Sequence, residues 1–396
     1  MQRSKLLIIV GAILVGLMFA GFSCSSSSLT GARLYIQQKK YDKAYETLIQ
    51  EVRTNPASDE GWYLLGYIYG ERGQMDSMLV AFNKSLAVSK QFEKDIDDYK
   101  KFQWANQFNK GVSEFQKGNS LTNADSIKII YDKSIDSFNK AIMIEPDSIT
   151  SYRNLAFVYM NAGEFDEAIS PLQTLIDKEN SRDGYKFLGE IYYDKARKLK
   201  SQYDVSHNVQ DSLNYMGNYD KAIKVLEEGR KNYPSDSDIL VTLSNSYIGA
   251  HKTKVAMDAF KTGVEQDPQN KYYHYNYGVL LLGANNFQTA IDQFQKAIEI
   301  DPNYVNAQYN LGVAYLKWGD NLNQKADSLG MKNPNYKQTS ELAKSYFEKS
   351  LPFLEKAVQL DASQADMWET IGKVYTVLGK QTEAKNAFDK SDQLRK

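Results

Sequence analysis

Residues 271–304 read KYYHYNYGVLLLGANNFQTAIDQFQKAIEIDPNY, and the landmarks in this stretch return at a fixed distance on either side of it. Pro234, Pro268 and Pro302 stand 34 residues apart, as do Ala256 and Ala290, Phe260 and Phe294, and Gly278 and Gly312. A period of this size marks an array in which each repeat is one supersecondary unit. Within a unit the apolar residues fall three and four apart, which puts them on one face of a helix. The small residue on the first helix, Gly278 or Gly312, lets the second helix approach closely, and Ala168, Ala222, Ala256 and Ala290 do the same from the second helix. Gly73, Gly163, Gly319 and Gly379 mark the expected turn between the two helices. Glu145-Pro146, Asp267-Pro268 and Asp301-Pro302 stop the second helix and lead into the next unit.

The spacing W-x₂-L-G-x₂-Y, then A-x₃-F, then P appears as Trp62, Leu65, Gly66, Tyr69 and Phe82. It returns as Tyr185, Leu188, Gly189 and Tyr192, as Leu311, Gly312 and Tyr315, and as Trp368, Ile371, Gly372, Tyr375, Ala384 and Phe388. In these residues the chain resembles the tetratricopeptide repeat (TPR) family. The resemblance implies an all-α TPR solenoid, a right-handed superhelix of helix-turn-helix repeats that packs its units into one continuous core. Alignment on the anchors gives about nine units, starting near residues 25, 59, 104, 149, 182, 237, 271, 305 and 365. Most of the 28 tyrosines are accounted for in this way. Tyr69, Tyr159, Tyr192, Tyr247, Tyr315 and Tyr375 share one packing position, and Trp62 and Trp368 share another.

Three units depart from the period, gaining about 11, 21 and 26 residues in units three, five and eight against the template. Each insertion carries a similar triplet, Asp125-Ser126-Ile127, Asp211-Ser212-Leu213 and Asp327-Ser328-Leu329. Because Asp and Ser favour helix starts, the triplets are expected to cap lengthened second helices. Residues 336–350 read as one such extension, with Pro352 and Pro171 kinking their helices. Lys195, Arg197, Lys198 and Lys200 are expected at the end of the first helix of unit five, solvated and suited to its dipole.

With 49 acidic and 48 basic side chains, the chain has no general attraction for a phosphate backbone, so no nucleic-acid partner is expected. One cysteine excludes an internal disulfide, and three scattered histidines leave no metal cluster in view. No phosphate-cradling, zinc-protease or nucleophile-elbow motif occurs, and neither enzyme activity nor a cofactor is expected. What the array supplies is a groove lined by the outward stripe of each first helix. Asn109, Asn154, Asn245, Asn276 and Asn310 fall on it, interleaved with Arg153, Tyr272, Tyr275 and Tyr309. An asparagine column can satisfy the backbone of an extended peptide, whereas the competing role is to cap or bridge helices. The chaperone-tail clamp of similar repeat proteins needs alternating basic residues. Here Glu190 follows Lys186 one turn later, and that clamp is not expected.

At the N-terminus, Arg3 and Lys5 precede an uncharged run from Leu6 to Phe22, and the only cysteine, Cys24, follows behind Ser23. The length of the run leaves both a cleaved signal peptide and a retained anchor open. The placement of Cys24 resembles a bacterial lipoprotein signal, with Gly21, Phe22 and Ser23 departing from the preferred residues before the cysteine. On that resemblance residues 1–23 are a signal peptide, 24–28 a lipidated cysteine with a serine tether, and 29–396 the repeat domain. The expected protein is a lipid-anchored, periplasm-facing scaffold of the bacterial cell envelope that holds a protein or peptide in its groove. A self-associating structural module and a glycan- or cell-wall-binding protein are the alternatives.

Overall fold

The computed structural model describes residues 26–395, and these residues hold eighteen α-helices and no strand. Cys24 and the apolar run Leu6–Phe22 lie outside the described residues. No helix among those described is long and apolar enough to cross a membrane. The chain divides into two compact units, the first ending at Val158 and the second beginning at Tyr159.

The first unit contains α1 (Ser27–Gln37), α2 (Tyr41–Thr54), α3 (Asp59–Glu71), α4 (Met75–Val88), α5 (Glu93–Asn119), α6 (Ala124–Ile144) and most of α7 (Ile149–Ala162). Ser26 caps α1 by accepting a bond from the Leu29 N–H, so the helix starts at Ser27 and takes in the last two serines of the expected tether. Consecutive helices pack in pairs, and first helices also touch across pairs, α1 on α3 and α3 on α5. The α5 helix begins at Glu93, well before the expected start near 104. Its first turns are held by Ile96, which is buried with Met75, Met78 and Phe82.

The second unit contains α8 (Phe165–Glu179), α9 (Arg182–Ser206), α10 (Val209–Asn232), α11 (Ser237–Gly249), α12 (Thr253–Gln266), α13 (Lys271–Gly283), α14 (Phe287–Ile300), α15 (Val305–Leu329), α16 (Pro334–Leu360), α17 (Ala365–Val377) and α18 (Gln381–Leu394). Here too each helix packs on the next, and α11 on α13, α13 on α15 and α15 on α17 bring successive first helices together.

Second-helix side chains fill the space that the anchor glycines leave, leucines at Gly189 and Gly312 and aromatic rings at Gly66 and Gly278. A methyl group at Gly66 would come within 2.5 Å of the Phe82 ring, and one at Gly278 within 2.7 Å of Phe294. Phe82, Phe138, Phe260 and Phe294 are fully buried from the second helices, as are Ala168, Ala222, Ala256 and Ala290. Truncating such a phenylalanine costs about 3–5 kcal/mol in comparable cores. The shared tyrosine position is mostly half-buried, with the ring on the core and the hydroxyl turned outward. Tyr247 donates to Glu227 at 2.9 Å and Tyr375 to Glu355 at 2.8 Å.

The tryptophan position ties four of the pairs to their incoming linkers. The Trp62 indole donates to the Pro56 carbonyl at 2.9 Å and that of Trp368 to Ala362 at 3.0 Å. The Gln308 amide makes the same bond to Pro302 at 2.9 Å, and the His274 ring reaches Pro268 at 3.0 Å. Three different side chains, Trp, Gln and His, therefore satisfy one recurring backbone acceptor. The turns between helices use left-handed backbone at Gly73, Gly163 and Gly379, with φ of 72, 76 and 74°. Lys39, His251 and Asn285 adopt the same conformation without being glycine.

The insertions are lengthened helices on both sides of a short turn. The α5, α9 and α15 helices span 27, 25 and 25 residues, and their partners α6, α10 and α16 span 21, 24 and 27. The expected caps need correction: Asn123, Asn208 and Asn333 cap the lengthened second helices, accepting from Ser126, Gln210 and Asn335 N–H groups. The Asp125 and Asp211 triplets follow their caps inside the first turn, while Asp327-Ser328-Leu329 closes α15. Gly319 is likewise no turn. It is buried inside α15, where a methyl group would meet the Phe347 ring at 2.6 Å, and α15 continues because α16 packs along it. Pro171 and Pro352 both lie inside continuous helices. The basic run also lies within a helix, since α9 continues to Ser206. Lys195 pairs with Asp166, Arg197 with Asp194 at 3.6 Å and Lys200 with Asp204 at 2.8 Å.

Candidate functional site

Three tyrosines meet on the first-helix side of the second unit. Tyr304 lies 5.7 Å from Tyr272 and 5.2 Å from Tyr275, centroid to centroid, both edge-on. The Lys271 ammonium sits 5.1 Å from the Tyr272 and Tyr304 rings while paired with Asp301. That hydrogen bond raises the Lys271 pKa and lowers that of Asp301, so both stay charged. Burial pushes the Tyr275 hydroxyl up to about 12 and also raises that of Tyr304. The cluster presents rigid aromatic area beside the Lys271–Asp301 ion pair, a surface suited to apolar side chains.

Tyr304 is absent from the residues singled out by sequence, although a signal for it exists. Positions 236, 270 and 304 each precede a first helix, and Asp236 and Asn270 cap theirs with a side chain. Tyr304 makes no capping bond and turns its ring onto α13 instead. An aromatic residue in a capping position is the departure that would have exposed it.

The asparagine column largely serves its own helices. Asn154, Asn276 and Asn310 each donate to the carbonyl one turn back, at Thr150, Tyr272 and Asn306, over 2.8, 2.8 and 2.9 Å. Asn276 is 1% exposed, which removes it from any contact surface. Asn310 also donates to the Tyr275 hydroxyl at 3.2 Å, bridging α13 and α15. Tyr309 exchanges a hydrogen bond of 2.9 Å with Thr370 on α17. Asn245 stands apart from this group, in a cleft with Tyr193 and Tyr219. Asn109, Arg153 and Asn154 belong to the first unit, with Asn109 exposed and the other two half-buried. The structure thus gathers Tyr272, Tyr275, Tyr309 and Asn310 along neighbouring first helices. Lys186 pairs with Asp238 at 2.6 Å.

Unequal helix lengths create a second feature. The long α9 runs past the short α8 and leaves a cleft of about 770 Å³ between the α7–α8 turn and α9, bordered by Gly163, Phe165, Glu167, Ile191, Asp194 and Leu199.

Tetratricopeptide-repeat models match residues 59–92 and 284–319. These two stretches are tetratricopeptide repeats. No curated protein matches it. Similar solved structures include MamA from Desulfovibrio magneticus, 18% identical over 51% of this chain and 96% of that one, with a TM-score of 0.33. YrrB, described as a TPR protein with an unusual peptide-binding site, is 19% identical over 58% of this chain and 94% of its own, with a TM-score of 0.32. A thermophilic TPR protein of Thermus thermophilus is 18% identical over 53% and 98%, with a TM-score of 0.33.

Proposed function

We propose that this scaffold is held at a bacterial membrane through a lipid on Cys24 and captures a partner protein in the cell envelope with the first-helix face around Tyr272, Tyr304 and Tyr309. The observation that carries the capture reading is the tyrosine cluster with the Lys271–Asp301 pair at its edge, because half-buried aromatics supply contact area at little entropic cost. The anchor reading is supported by the apolar run Leu6–Phe22, which the only cysteine follows behind Ser23. One lipid chain gives only marginal attachment, so the two or three chains of a lipoprotein are what would make the tether stable.

Capture is tested with the purified residues 26–396, by comparing partners retained by the parent and by Tyr272→Ala. Loss of a discrete retained protein supports the reading; identical retention contradicts it. A mass that grows with concentration in sedimentation would favour self-association, and retention by purified cell-wall fragments would favour glycan binding. Mass spectrometry of the mature N-terminus tests the anchor. Acylated Cys24 supports it, and an intact Met1 opposes it.

A further inference from the structure

The cleft beside the α7–α8 turn has a chemistry of its own. Its apolar lining includes Phe165, 48% exposed in the first turn of α8, with Ile191 and Leu199 from α9. Five carboxylates border it against two lysines; Asp166 is paired with Lys195 and Asp194 with Arg197. Glu190 is half-buried there and has no hydrogen-bond or ion-pair partner among the described residues. Desolvation raises its pKa, with Lys186 acting in the opposite direction. A half-buried carboxylate without a partner is costly and is relieved by a cation. Lys195, Lys198, Leu199 and Gln202 from the lengthened part of α9 deepen the cleft beyond the end of the shorter α8.

We propose that this cleft docks a short basic segment of a partner protein, an arginine or lysine whose stem lies on Phe165, Ile191 and Leu199 while its charged head reaches Glu190. Long cationic side chains suit such a site because their stems bury on apolar surface while the head stays with the carboxylates. A volume of about 770 Å³ admits a few side chains of an extended segment. The site lies apart from the tyrosine cluster and adds a second, charge-selective contact to the scaffold.

The test uses the intact repeat region, residues 26–396, and a fluorescein-labelled nonapeptide of repeating Arg, Phe and Leu, read by anisotropy. An otherwise identical peptide with Glu for Arg is the comparison. The proposal expects saturable binding of the basic peptide, none of the acidic one, and a loss of roughly tenfold or more in affinity in Glu190→Gln and in Phe165→Ser. Glu190→Gln removes an unpaired charge, so its thermal midpoint should equal or exceed the parent's, which separates lost binding from lost folding. Tyr272→Ala should leave this binding unchanged, so failure of the tyrosine face and failure of the cleft are distinguishable. Equal affinity in Glu190→Gln, or equal binding of the acidic peptide, would overturn the proposal.

Discussion

The Asn310 side-chain amide donates to the Tyr275 hydroxyl at 3.2 Å while its second bond returns to Asn306 in its own helix, so one residue ties α13 to α15 and braces α15. A residue with both donors engaged is a strut before it is a ligand contact. Asn310→Ala and Tyr275→Phe should each cost about 1 kcal/mol, with a coupling of about 0.5–1 kcal/mol between them in a denaturant double-mutant cycle. Additive losses would show that the bridge contributes nothing.

Glycines in the array divide by what surrounds them. At Gly66 an added methyl group would lie within 2.5 Å of Phe82, whereas at Gly31 nothing lies within 4 Å. Gly66→Ala should therefore destabilise by roughly 1–3 kcal/mol, and Gly31→Ala should stabilise α1 by roughly 0.5–1 kcal/mol. Chemical denaturation of the two variants reads both signs at once.

The tyrosines make the fold sensitive to alkali. Burial raises Tyr275, Tyr63 and Tyr185 to about 12 from the usual 10.0, with nearby carboxylates adding to the effect at Tyr63 and Tyr185. A group whose folded-state pKa is raised contributes stability in full below its unfolded value and loses it as pH rises toward the folded value. Stability should be unaffected by these groups up to about pH 10 and fall between about 10 and 12. Tyrosinate absorbance should then appear together with loss of helical circular dichroism. Full ionisation with the helices intact would contradict the burial assigned here.

Lys39 occupies, at φ 56°, the turn position that is glycine at residue 73. Lys39→Gly should stabilise by up to about 1 kcal/mol, since the left-handed strain it relieves exceeds the entropy that glycine adds to the unfolded chain. A lowered thermal midpoint would show that the lysine side chain makes compensating contacts.

The sequence was most legible where one residue meets one partner at the repeat distance. Gly66 with Phe82 and Gly278 with Phe294 follow from the 34-residue spacing, because a glycine opposite a phenylalanine describes the contact almost completely. Helix lengths were less legible. Gly319 falls where the period expects a turn, yet the helix continues because α16 runs alongside it and places Phe347 on that glycine, a tertiary effect with no local signature. Tyr304 was hidden in a capping position, and the cleft beside α9 depends on two neighbouring helices differing in length, which no single segment records. Among the groove residues, Asn276 and Asn310 are the type expected of a peptide-binding column, yet Asn276 spends its amide on its own helix and Asn310 divides its amide between its own helix and Tyr275.

The central claim, that this repeat scaffold captures a protein through its first-helix face, is tested most directly by photocrosslinking in cells from position 272, compared with the exposed second-helix position 288. The account predicts a discrete crosslinked protein from 272 that is absent from 288 and diminished when Tyr309 is replaced by alanine. Equal crosslinking from both positions, or none above background from 272, would contradict it.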